Sequence, residues 1–160
     1  MTTALTTPTG RGHAGRSLIS PALFDRLVHR IVIDDHLDQG LAERIVDQAL
    51  AFLAACARNT SAPLAPSELV DIGWHTFLLH THEYATFSLE VAGRFLHHVP
   101  ITPDDPAATG QTAHTVLART IAAIDETGFV VDRELWAHAD TGSCTGCHNG
   151  CHDDPPPAPR

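Results

Sequence analysis

Between Ser20 and Gly128 the apolar residues recur at helical spacing in four blocks, separated by Pro, Gly and short polar runs. A chain written this way buries one stripe per helix and closes on itself as a bundle. Ser20-Pro21 is a helix start, with Ser20 as N-cap and Pro21 at the first helical position. Phe24, Leu27, Val28 and Ile31 supply the stripe of a helix over about 20–33, which Asp34-Asp35-His36 breaks. A second helix over about 38–58 carries Leu41, Ile45, Ala49, Phe52 and Cys56 on one face, and Asn59 to Pro63 ends it. Pro66-Ser67 opens a third, capped by Ser67. It runs through Trp74, Phe77, Tyr84 and Phe87 towards Gly93. Apolar residues surround this segment, so it is expected to be the central, buried helix. A fourth, over about 110–127, turns Ala113, Leu117, Thr120, Ile121 and Ile124 inward and ends at Gly128, a natural residue just past a helix. Phe129, Val130, Leu135 and Trp136 are expected to fold back over the core. No strand or internal repeat is expected.

The fold class is therefore all-α: a small bundle of about four helices. Residues 1–19 read as a disordered N-terminus, 20–137 as the helical domain, and 138–160 as a flexible Cys/His/Pro-rich tail, where closely spaced prolines oppose regular structure. The 43% hydrophobic content of 160 residues suffices for one real core. A formal charge of −9 with no basic run argues against a nucleic-acid surface. No apolar run approaches membrane-spanning length, and the first residues lack a signal-peptide core, so a cytoplasmic location without membrane contact is expected.

Two groups of residues carry chemistry. The first is the tail: Cys144, Cys147 and Cys151 lie within eight residues, with His148 and His152 beside them. Thiolates and imidazoles at this spacing are metal ligands or nucleophiles rather than core residues. They can wrap one zinc ion, or supply three thiolates to an iron–sulfur cluster. Cys144-Thr145-Gly146-Cys147-His148 also matches the covalent haem pattern, but that attachment needs export, and nothing here signals it. The leading expectation is a cytosolic transition-metal-binding protein, with zinc or iron as the ion. The alternative is a ribosomal peptide precursor, in which a partner enzyme modifies the cysteines of the tail and the helical domain serves as recognition element. Cys56, on an apolar stripe, reads as a small buried hydrophobe.

The second group lies in the third helix. Asp71 and His75 are four residues apart and share one helical face about 6 Å apart. They can bind one metal, or Asp71 can simply orient His75 by hydrogen bonding. On a continuous helix His97-His98 would sit about 33 Å from His75, so they join this site only if the chain breaks near Gly93 and turns back. Asp71, His75, His97 and His98 thus form a second candidate metal site. An enzyme centred on Asp71 and His75 is a third reading. No nucleophilic triad, phosphate loop or HExxH run is present. Trp74, Phe77, Tyr84 and Phe87 read as core rather than as a substrate box.

The run Val70-Asp71-Ile72-Gly73-Trp74-His75-Thr76-Phe77-Leu78-Leu79-His80-Thr81, followed by Tyr84, Phe87, Gly93, Phe95, His97-His98 and Pro100, resembles the glycine-rich domain-containing protein-like family. In detail it is similar to the short actinobacterial members with a Cys-rich end. The resemblance implies an all-helical domain with a polar cluster around Asp71, His75 and the His97-His98 pair. It implies no defined activity. Members of the plant branch carry a second His two residues after the first, where this chain has Phe77.

Overall fold

The computed structural model describes residues 12–98 and 110–136. The described chain is helical: a 3-10 turn at Gly15–Leu18, then α1 (Pro21–Asp34), α2 (Gln39–Arg58), α3 (Glu68–Leu79), α4 (Thr81–Ala92), α5 (Gly110–Glu126) and the short α6 (Arg133–Trp136). Among the described residues there is no strand; His13 and Phe129 make an isolated bridge.

The starts are local chemistry. Ser20, Asp38 and Ser67 each sit in extended backbone. Their side-chain oxygens accept hydrogen bonds from the backbone N–H groups of Leu23, Leu41 and Val70. Each cap satisfies a donor that has no partner within the helix, and its loss would cost about 1 kcal/mol.

The centre of the bundle is α2, not the segment that follows Ser67. It packs against the 3-10 turn, α1, α3, α4 and α5. Alanines at 42, 49, 51, 54 and 55 are all buried, so neighbouring backbones can approach closely. A close approach is at Gly73 of α3, where an added Cβ would lie 2.8 Å from the Ala49 Cβ and 3.0 Å from the Ile45 carbonyl oxygen. The segment from Ser67 leaves His75, Leu79 and Leu89 exposed, which a central helix could not do.

That segment is also two helices rather than one. At His80 the backbone turns (φ −90°, ψ 62°), ending α3 and starting α4. The local sequence has no proline or glycine there. Aromatic burial is what a straight rod would forfeit: Phe77 packs at 5.2 Å from both Tyr84 and Phe87, and all three rings are buried.

The end of the domain folds back as expected. Leu135 and Trp136 are buried, and Gln48 of α2 holds them in place. Its amide donates to the Val130 carbonyl at 2.8 Å. Its carbonyl accepts from the Trp136 indole N–H at 2.9 Å and from the Asp132 backbone N–H at 3.0 Å. Arg44 pairs with Asp132 and Glu134 on the same end, and these contacts push its pKa up, led by the hydrogen bond that it donates to Asp132.

At the other terminus, residues 12–19 are not the loose end that their composition predicts. Gly15 is buried, and the Arg16 backbone N–H donates to Asp47 at 2.9 Å. The Arg16 guanidinium lies 4.5 Å over the Phe24 ring. His13 exchanges backbone hydrogen bonds with Gly128 and Val130. Polar composition hid these contacts because they run through backbone and charge rather than an apolar stripe.

Candidate metal centre

Asp71 lies one turn into α3, next to the cap at Ser67, and its side chain is 3% exposed. His75 follows one turn later on the same face, but outward, at 54% exposure. Its Nδ1 is 3.7 Å from Asp71 Oδ2, too long for a hydrogen bond.

The third member arrives from beyond α4. Gly93 takes left-handed backbone (φ 69°), and its N–H still donates to the Leu89 carbonyl at 3.0 Å, closing the helix. Few residues but glycine accept that geometry, so the chain can reverse here. Arg94 then anchors the returning segment to the end of α2, its guanidinium reaching the carbonyls of Cys56 and Ala57 at 3.5 and 3.4 Å. Inward and outward side chains alternate from there. Leu96 is fully buried, His97 is exposed, and His98 is again inward with its side chain 7% exposed. His98 Nε2 comes to 3.0 Å from Asp71 Oδ1. An ionised carboxylate only accepts, so the imidazole supplies the proton in this contact.

The His98 ring is held from two sides, 4.6 Å from the Trp74 ring and 4.3 Å from the His75 ring. Trp74 is itself fixed. Its indole N–H donates to the Tyr84 hydroxyl at 2.8 Å, and that hydroxyl donates to the Leu96 carbonyl at 2.6 Å. This buried relay ties α3, α4 and the returning segment together two residues before His98. The sequence offers one hint of it: Trp and Tyr each carry a polar atom that needs a partner when buried.

The result is a compact donor set. Asp71, His75 and His98 each offer a ligand atom within 4.8 Å of the others. Two donors around one tetrahedral zinc, each about 2.0–2.1 Å from it, lie about 3.4 Å apart. His98 lies 3.0 Å from Asp71 Oδ1 and His75 lies 3.7 Å from Asp71 Oδ2, each near that value, and the exposed His75 has room to adjust. One carboxylate and two imidazoles also form the facial set that holds iron(II).

Of the four residues expected to meet here, three do. His97 is the exception: it faces outward with its ring 4.9 Å from Phe95, because its neighbour takes the inward register. Cys144, Cys147, His148, Cys151 and His152, the tail site predicted from spacing, lie outside the described residues. Cys56 is fully buried in the apolar core, as expected, and is also disulfide-bonded.

Fold and site together define a small all-α protein with a half-buried Asp/His cluster at the junction of α3 and the segment after α4. The chain belongs to the UCP032817-like family, whose pattern matches residues 17–116. The resemblance to the glycine-rich domain-containing protein-like family is overturned by that match, and nothing in the comparisons points to a glycine-rich domain family. The matched span contains Asp71, His75 and His98 and stops short of the tail cysteines. No curated protein matches the chain. No solved structure matches it either. Among the described residues, no helix is long and apolar enough to cross a membrane.

Proposed function

We propose that this protein binds one divalent transition metal through Asp71, His75 and His98, with zinc as the first candidate and iron(II) as the second. The observation that carries the reading is the convergence of three donors within 4.8 Å from two chain segments 23 residues apart, counting from His75 to His98. A structural Asp–His pair would need only Asp71 and His98, which already satisfy each other at 3.0 Å. His75 adds a second imidazole against the other carboxylate oxygen, a placement that a hydrogen-bonded pair does not require. Metal entry would replace the proton that His98 Nε2 shares with Asp71, and the neutral imidazole would carry its proton on Nδ1 instead.

The test is metal content of the full-length protein purified without chelator, compared with Asp71→Ala, His75→Ala and His98→Ala. The reading predicts one metal per chain in the parent and its loss in the Asp71 and His98 variants. Parent protein that takes up no stoichiometric zinc or iron would refute it. A Cys144→Ser, Cys147→Ser, Cys151→Ser variant separates this site from a tail site: here it retains the metal.

A further inference from the structure

The donor set is lopsided, and the asymmetry bears on what else the metal would bind. Asp71 and His98 are enclosed, at 3% and 7% side-chain exposure, while His75 is 54% exposed. The Trp74 ring backs His98 on its inner side, and Phe52 packs behind Trp74 at 5.2 Å. The inner wall is therefore aromatic. Solvent reaches the cluster on the His75 side. The described donors supply three ligands, whereas zinc takes at least four and an iron(II) facial set leaves further positions. The charges sum in one direction: a divalent ion, one carboxylate and two neutral imidazoles leave the centre with a single positive charge.

We infer that the site takes a small monodentate anion, of the carboxylate-oxygen type, in a coordination position that opens beside His75. The inference rests on the metal reading above and deepens it: the centre is one that receives an exogenous ligand rather than a closed structural staple. A structural zinc site closes its shell with four protein donors and is kept from solvent. Here the outermost donor is also the most exposed, so an entering anion meets the ion without displacing the Asp71–His98 pair. An anionic donor neutralises the remaining charge, which a thioether, amide or neutral amine would not do.

The experiment uses the full chain loaded with cobalt(II), whose visible bands report coordination number and donor type. Azide is titrated first, then acetate. The expected result is a saturable change in the visible bands at one anion per metal, unaltered in His97→Ala, whose ring lies against Phe95 outside the cluster. The Cys144→Ser, Cys147→Ser, Cys151→Ser variant should respond in the same way. Cobalt that binds tightly with spectra indifferent to both anions overturns the open position while leaving the metal site standing. A thiolate-to-cobalt charge-transfer band that disappears in the triple serine variant overturns it too, because the tail would then close the shell. Failure of cobalt and zinc to bind at all overturns both this inference and the reading beneath it.

Discussion

The Trp74 indole N–H donates to the Tyr84 hydroxyl at 2.8 Å, although ten residues separate them in the chain. On a straight helix their Cα atoms would lie about 15 Å apart. The turn at His80 is what brings them together, and the same hydroxyl passes the link on to Leu96 at 2.6 Å. The segment that carries His98 is thus anchored through Tyr84 at Leu96, two residues earlier in the chain.

Tyr84→Phe should be disproportionately damaging for the loss of one oxygen. It leaves the Trp74 N–H and the Leu96 carbonyl buried without their shared partner, a cost of about 1–3 kcal/mol for each group left unsatisfied. Urea denaturation would measure that loss, and zinc titration of the still-folded variant should show weaker binding. Parent-like stability together with parent-like affinity would mean that the relay does not position His98.

Gly73→Ala tests the contact between α2 and α3. Alanine favours the helix by about 1 kcal/mol over glycine. Against that, its Cβ would press on Ala49 at 2.8 Å and on the Ile45 carbonyl at 3.0 Å, and α3 must shift. Overpacking of this kind costs about 1–3 kcal/mol, so a net loss near 1 kcal/mol is expected in chemical denaturation. Metal affinity should fall with it, since α3 carries Asp71 and His75. A stabilised variant would place the two helices further apart than described.

Acid should expose the Glu83 contact. Its carboxyl is held below its usual range, first by a hydrogen bond from its own backbone N–H and then by Arg26 at 2.6 Å. A depressed folded-state pKa contributes stability above the unfolded value, near 4.3, and loses it as pH falls through the folded value. The stability difference between parent and Glu83→Gln should thus be present at neutral pH and shrink below about pH 4.3. Denaturation midpoints measured across that range would show a constant gap if Glu83 did not contribute.

Cys56 gives a mass-spectrometric prediction. It is disulfide-bonded. Non-reducing peptide maps should find the Cys56 peptide cross-linked, and released by reductant. A Cys56 peptide that alkylates without reduction would contradict the bond.

Much of the fold was legible because its helix starts are short-range chemistry. Ser20, Ser67 and Gly128 mark boundaries that the structure keeps, and the stripes of α1, α2 and α5 face inward as their spacing requires. The break at His80 was not legible, since aromatic packing rather than a breaker residue produces it. The prominence of α2 was likewise hidden: its alanines look weakly hydrophobic in sequence, yet their small size is what lets five elements surround it. At the site, the i to i+4 spacing placed Asp71 with His75, and Gly93 announced the reversal. Which histidine of the 97–98 pair would turn inward depended on register, and only the burial of Leu96 decides it.

The central claim is that Asp71, His75 and His98 hold the metal. X-ray absorption at the zinc edge of the full-length, zinc-loaded protein tests it most directly. The account predicts a first shell of nitrogen and oxygen alone at about 2.0–2.1 Å, with the outer scattering of two imidazoles. A sulfur shell at about 2.3 Å would contradict it and move the metal to the cysteines of the tail.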